Sequence, residues 1–231
     1  MFKPKFTITP QLNTQIAQIE KFKQIVISSR IIPEQEVDLR YRAILESVHS
    51  STSIEGNPLS PKEVEEVFIG KKVRTIDKAI IEVENYKKAL DWIGNRTETN
   101  KILSIDDALK LHSLVIEKLL PNKKVGNFRP GPIYIVDEID NQDIIQYTGP
   151  DADKVENLLK NLFFWLNNEG KELHPILLAG IFHYEFISIH PFSDGNGRAT
   201  RLLTKLLLSL YNYNFKGTLV LDNYYAQNRF A

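Results

Sequence analysis

Cysteine is missing from all 231 residues. Disulfides, thiolate metal sites and thiol nucleophiles are thereby excluded. Net charge is missing as well, because 29 basic and 29 acidic residues cancel, which leaves no global attraction to nucleic acid or to an anionic membrane. Any affinity for phosphate must therefore be local. No apolar run reaches membrane-spanning length, the longest being 176–182, and residues 1–10 lack the apolar core of a signal peptide. The expectation is a soluble, cytoplasmic protein. No internal repeat or low-complexity segment interrupts it, and a hydrophobic content of 42% suffices for a core of its own.

What the chain does contain is one stretch dense in chemistry. Between two apolar segments of helical spacing lie His190, Asp194, Gly195, Asn196, Gly197, Arg198 and Arg201. The Gly-Asn-Gly turn can direct its backbone N–H groups inward, and it opens into a helix whose first N–H groups have no partner, an arrangement that suits an anion. Arg198 and Arg201 stand three apart on one side of that helix, within reach of oxygens further along a polyphosphate. Asp194 offers a hard oxygen to the magnesium such a substrate carries. His190, titrating near neutrality, is a natural acceptor for the proton of an attacking hydroxyl. A capped helix start with solvated arginines would explain the glycines but not the rest. Chemistry alone thus reads a metal–polyphosphate site with a base beside it.

The same stretch resembles, at every fixed position, the active-site motif of the Fic family, His-x-Phe-x-Asp-Gly-Asn-Gly-Arg-x-x-Arg. The resemblance implies that His190 activates a hydroxyl on a protein target and that Asp194 holds Mg2+. It further implies that Gly195, Asn196, Gly197 and Arg198 cradle the phosphates of ATP, with Arg201 at the γ-phosphate. AMP would pass to a Ser, Thr or Tyr hydroxyl with release of pyrophosphate, making the chain a protein adenylyltransferase, a nucleotidyltransferase. Gly195 and Arg198 resemble the adenylyl-transferring members and not the kinase-like branch.

Residues 50–57 form a second informative segment. Gly56 before Asn57-Pro58 reads as a helix stop that leaves Glu55 at the helix exit, where a carboxylate is disfavoured unless a cation meets it. The segment resembles the inhibitory motif of the same family, Ser/Thr-x-x-x-Glu-Gly/Asn, through Ser51, Glu55 and Gly56. Carried across, Glu55 meets Arg201 and displaces the tail of ATP, so that the α-phosphate is poorly aligned for in-line attack. A barrier raised by about 2.7 kcal/mol slows transfer about a hundredfold. The implied enzyme is autoinhibited in cis.

Along the chain, Thr9-Pro10 caps a first helix with Leu12, Ile16, Ile19 and Val26 at helical spacing, interrupted by Lys23. A second helix follows Pro33, with Val37, Tyr41, Ile44, Leu45 and Val48 as its expected buried stripe. A capping box at Ser60 to Glu63 opens a short helix ended by Gly70; helices over 75–93 and from Ser104 to Pro121 follow, joined by a polar loop at 96–101. His112 reads as a core or boundary histidine, and His49 and His174 have no partners that argue for metal. The one β signal is a hairpin of 133–136 with 144–147. In the family such a flap holds the target by strand addition, and the resemblance assigns that role to the region of Ile133, Tyr134, Ile135 and Val136. After a helix carrying Val155 to Leu166, the segment 175–189 is apolar nearly all round and is expected to be the central helix of the bundle. It delivers His190, and a helix over 197–211 runs back out. Phe192 reads as a buried wedge, His183 as a structural hydrogen-bonding residue.

The fold expected is all-α, a Fic-type helical bundle with one β-hairpin flap, divided into an N-terminal helical region at 1–40 and a Fic-like domain at 41–231. The expected partners are ATP with Mg2+ and a protein target bearing a hydroxyl; no membrane and no nucleic acid enter, and a homo-oligomer is left open. Two rival functions stand beside adenylyl transfer. In one, Glu55 orients a water that removes AMP from a modified protein, alone or as part of a bifunctional enzyme; in the other, the chain is a non-catalytic nucleotide-binding regulatory module.

Overall fold

The computed structural model describes residues 2–96, 102–139 and 142–228. Beyond Arg96, the polar loop expected at 96–101 lies outside the described residues, as do the hairpin tip at 140–141 and the chain end at 229–231. The helices are α1 (Pro10–Ser28), α2 (Pro33–Ile54), α3 (Pro61–Phe68), α4 (Asp77–Arg96), α5 (Ile105–Ile116), α6 (Val155–Asn167), α7 (Pro175–Ile189), α8 (Asn196–Leu210) and α9 (Asp222–Gln227). One antiparallel hairpin, β1 (Tyr134–Ile139) with β2 (Gln142–Thr148), stands between α5 and α6. The fold is thus all-α with a single hairpin among the described residues, as expected.

Local chemistry sets many of the boundaries. Thr9 Oγ1 accepts from the Leu12 amide at 3.2 Å, and Ser60 with Glu63 and Ser104 with Asp107 close full capping boxes at the starts of α3 and α5. Each such cap contributes about 1 kcal/mol. α5 stops at Ile116, short of the expected Pro121. Asn85 on α4 donates to the carbonyl of Glu117 at 2.7 Å, and Lys118 takes a left-handed φ of 62°. The end of α5 is thus captured by its neighbour before the apolar pattern runs out.

The centre of the bundle differs from the expectation. α8 packs against α2, α4, α5 and α7, and Arg198, Thr200, Arg201 and Thr204 are buried along with its leucines. α7 packs against α6 and α8, leaving Tyr184 68% exposed and Ile176, Leu177, Ile181 and Ile187 half-buried. Apolar composition suggested α7 as the central helix, but Thr200, Arg201 and Thr204 of α8 find hydrogen-bond partners inside the bundle, so their polarity did not keep it at the surface.

The N-terminal helix docks through polar atoms. Lys23, the interruption in its stripe, holds its ammonium 3.5 Å from the centre of the Tyr213 ring. Glu20 accepts from the Tyr213 hydroxyl and lies 3.2 Å from His174 Nε2. Val37 corrects the stripe assigned to the second helix, since it is 67% exposed while Ala43, Ser47 and Val48 are buried. α2 runs unbroken through residues 40 and 41, where the sequence suggested a boundary.

Candidate active site

α7 ends at His190, which takes the left-handed conformation (φ 50°, ψ 61°) and closes the helix with its amide on the Phe186 carbonyl. Its Nδ1 lies 3.2 Å from the carbonyl oxygen of Ile187. A carbonyl only accepts, so Nδ1 carries the proton of the neutral ring and Nε2 keeps its lone pair. Burial pushes the imidazole below its ordinary pKa, which keeps that lone pair available at neutral pH.

The loop from His190 to Asn196 is anchored from within. Phe192 is fully buried and stacked on His112, with ring centres 3.8 Å apart. The Asn196 side chain clasps the Phe192 backbone, Oδ1 accepting from its amide and Nδ2 donating to its carbonyl, each at 2.8 Å. That side chain is committed to the loop, so only the backbone amide of Asn196 is left for an outside acceptor. His112 receives the Gly126 amide on Nδ1 at 3.0 Å, which leaves Nε2 to donate to the Asp194 carbonyl at 3.1 Å. Burial lowers its pKa to about 4, so the ring is neutral and this tautomer is locked.

Two glycines have distinct physical reasons. Gly195 sits at φ 78°, and a Cβ there would meet Ile116 Cδ1 at 2.7 Å. Gly197 permits a close approach, since its Cβ would lie 2.6 Å from Glu55 Oε1 and 3.0 Å from Arg201 Nη1. α8 begins at Asn196 with no side-chain cap, so its first amides keep their hydrogen-bonding capacity for an outside acceptor.

Glu55, Ser51 and Arg201 come together at the end of α2. Arg201 donates through Nε to Ser51 Oγ at 2.7 Å, and through Nη2 to the Ser51 carbonyl at 3.0 Å and to Glu55 Oε1 at 2.8 Å. Asp222 on α9, itself bound by the Tyr86 hydroxyl at 2.8 Å, lies 3.7 Å from Arg201 Nε. Arg198 is placed differently. It is 4% exposed, with Glu82 at 3.6 Å and Asp194 at 3.5 Å, and its Nε and Nη1 have no hydrogen-bond partner.

Asp194 keeps its side chain half exposed beside this turn, Oδ1 accepting from the Gly195 amide at 2.5 Å. An exposed carboxylate beside this turn has the hard-oxygen chemistry of a single protein ligand for magnesium, an ion that takes most of its shell from groups outside the protein. No group of three or more ligating side chains occurs among the described residues, so a cage made of protein alone is absent there.

The flap is longer than the sequence suggested and begins one residue later. Ile133 lies at its root, where its carbonyl accepts from Gly149 at 3.0 Å. Tyr134, Ile135 and Val136 are exposed, and the register shifts between Ile135 and Val136 so that Gln146 bulges out of the pairing. The Tyr147 hydroxyl donates to the Ser188 carbonyl at 2.5 Å, tying the hairpin to the last turn of α7.

Four residues at the site escaped sequence reasoning. Asn57 donates to Glu82 Oε2 at 2.8 Å and to the Ala79 carbonyl, fixing the exit of α2 on α4. Its neighbour Glu55 was the available signal. Glu82 and Asp222 gave none, being single carboxylates in helical segments. Arg129, whose guanidinium bonds the carbonyl of His190 at 2.8 Å, sat in a stretch legible only as irregular.

The bundle ends one helix on a histidine and starts the next on an uncapped turn that bears two arginines. The chain carries a Fic domain: residues 102–208 match the Fic/DOC family. A protein adenylyltransferase Fic from Culex quinquefasciatus is 31% identical over 177 residues, covering 74% of this chain and 33% of that protein. One from Nematostella vectensis is 28% identical over 171 residues, covering 72% and 38%. The chain therefore spans about a third of the length of these curated relatives. Among solved structures, a Fic family protein from Desulfovibrio desulfuricans G20 superposes with a TM-score of 0.80 at 28% identity, covering 99% of this chain and 66% of that one. A Fic domain containing signaling protein from Bacteroides thetaiotaomicron shares the fold, with a TM-score of 0.78 at 22% identity over 93% of this chain and 78% of that one. No described helix is long and apolar enough to cross a membrane.

Proposed function

We propose that this chain transfers AMP from ATP to a Ser, Thr or Tyr hydroxyl of a cytoplasmic protein and is held back in cis by Glu55. Arg198 is the observation that carries the reading. A buried guanidinium whose Nε and Nη1 make no hydrogen bond, with Glu82 and Asp194 only at ion-pair distance, stands beside an uncapped helix start, and an anion there would supply the missing acceptors.

In this reading the backbone amides from Asn196 to Arg198 cradle the α- and β-phosphates, with Gly195 supplying the turn that exposes them, and Arg198 and Arg201 hold the charge that leaves. Asp194 holds Mg2+, which when bound neutralises phosphate charge and helps to orient the phosphates. The flap edge at Ile133, Tyr134, Ile135 and Val136 pairs with the target backbone. His190 Nε2 takes the hydroxyl proton as the oxygen bonds to the α-phosphorus; the bond from that phosphorus to the bridging oxygen breaks, and pyrophosphate departs with the electron pair. Glu55, paired with Arg201, competes with the γ-phosphate for the same cation.

A second reading uses the same residues. In it, Glu55 and His190 orient a water that removes AMP from a modified protein. The test is transfer from α-phosphate-labelled ATP with Mg2+ in wild type, Glu55→Gly, and Glu55→Gly with His190→Ala. Glu55→Gly labels protein about a hundredfold faster than wild type, and adding His190→Ala abolishes the signal. No labelling by any variant, together with loss of AMP from a pre-modified protein, moves the assignment to the second reading. ATP binding that persists in His190→Ala, with neither activity in any variant, leaves a binding module.

A further inference from the structure

We infer that Arg129 is the positioning residue that ties His190 to both roots of the flap, an inference that rests on His190 being the base of the reaction proposed above. Arg129 is 4% exposed in a segment without regular structure. Its backbone amide donates to the Pro191 carbonyl at 2.9 Å. Its side chain donates through Nε to the His190 carbonyl at 2.8 Å, through Nη1 to that of Gly131 at 2.6 Å, and through Nη2 to that of Pro150 at 2.5 Å. Every one of these acceptors is a backbone carbonyl. Gly131 precedes β1 and Pro150 follows β2, so one planar guanidinium spans the hairpin base and the end of α7.

His190 needs such a restraint. A non-glycine residue in the left-handed region is strained by its Cβ, and the carbonyls of His190 and Pro191 lie past the last turn of α7, where no helix amide can reach them. Arg129 catches both. Fixing the peptide planes on either side of Pro191 fixes the direction of the His190 side chain, and with it the Nδ1 contact to Ile187 that leaves Nε2 free. The strand proposed to present the hydroxyl and the base proposed to take its proton thus share one reference point. Three charged groups act on the ring, Arg129, Glu55 and Asp194, and only the arginine disfavours its protonation, adding to the larger effect of burial.

The experiment compares Arg129→Gln and Arg129→Lys in a Glu55→Gly background. It measures kcat, KM for ATP, calorimetric ATP·Mg affinity, and the 15N signals of the His190 ring. In Arg129→Gln, kcat falls about a hundredfold, the loss expected for a misplacement of about 1 Å. KM and affinity for ATP stay within about twofold, and the ring passes from a single Nδ1-protonated form to a mixture. Lysine does not rescue, because one ammonium cannot reproduce the planar fork. Gly149→Ala disturbs the same clamp with the guanidinium retained and serves if the arginine variants do not fold. Its Cβ would stand 2.6 Å from Ile133 Cγ2 and 3.3 Å from Arg129 Nη2, and kcat falls about tenfold with the same change in the ring signals. Unchanged ring signals in both variants overturn the inference, as does a parallel loss of ATP affinity and kcat. If the parent transfers no AMP, the adenylyl reading fails on its own, and the ring signals still decide the role of Arg129.

Discussion

Arg198 and Arg201 stand three residues apart on α8 and are both buried, at 4% and 9% exposure, yet their surroundings are opposites. Arg201 is filled by α2, through the Ser51 hydroxyl, the Ser51 carbonyl and Glu55. Arg198 faces Glu82 and Asp194 at 3.5–3.6 Å and keeps two nitrogens empty. One flank of the turn is closed by the chain itself and the other is held open. Two arginines alike in sequence therefore differ in what the fold gives them: full hydrogen bonding from α2 for one, and carboxylates only at ion-pair distance for the other.

The largest expected effect separates the flanks by pH, because each has its own histidine, His112 fully buried and His183 half-buried. His112 supports Asp194 on the open side; on the closed side His183 binds Thr204 Oγ1 at 2.9 Å and stacks on Tyr225. Burial lowers both pKa values to about 4. The unfolded chain thus binds more protons than the folded one from about pH 6.5 down to about 4, so their contribution to stability is complete above that window and falls as pH falls through it. The loss is about 3 kcal/mol for each histidine. Urea midpoints at pH 7 and pH 4 should drop steeply for wild type and by clearly less for His183→Asn; identical drops would remove His183 from the account.

Next in size is the open flank. In a Glu55→Gly background, Arg198→Gln should lower kcat/KM for ATP about a hundredfold, the worth of two charge-assisted hydrogen bonds. An Arg198→Gln enzyme as active as its parent would mean that the empty nitrogens wait for something other than phosphate. The smallest effect belongs to the closed flank: Ser51→Ala, with Glu55 intact, should raise labelling about tenfold by removing one hydrogen bond to a charged group. A rate indistinguishable from wild type would assign the hold on Arg201 to Glu55 and Asp222 alone.

The sequence announced helices through caps and periodicity, and it announced the loop through the density of its chemistry. Ser60, Ser104 and Thr9 behave as their local patterns require, because a cap is decided within four residues. What escaped depends on neighbours distant in the chain. The apolar character of α7 argued for its centrality, yet the polar α8 holds the centre because Ser51, Asn196 and His183 satisfy its arginine and threonines from within. Arg129 was hidden because its acceptors are backbone carbonyls, which leave no mark in side-chain patterns.

Helix α8, surrounded by four other helices, also sets a hierarchy of time. Its amides from Leu202 to Leu208 are closed off on nearly every side, so deuterium can replace their hydrogens only when the whole molecule opens. The hairpin, with exposed side chains on both strands, opens far more often. The turn at the head of α8 is thereby mounted on the most enclosed helix of the bundle, while the hairpin belongs to its exposed surface. The exposed edge of the hairpin can thus be remade many times during one lifetime of the frame that carries the turn.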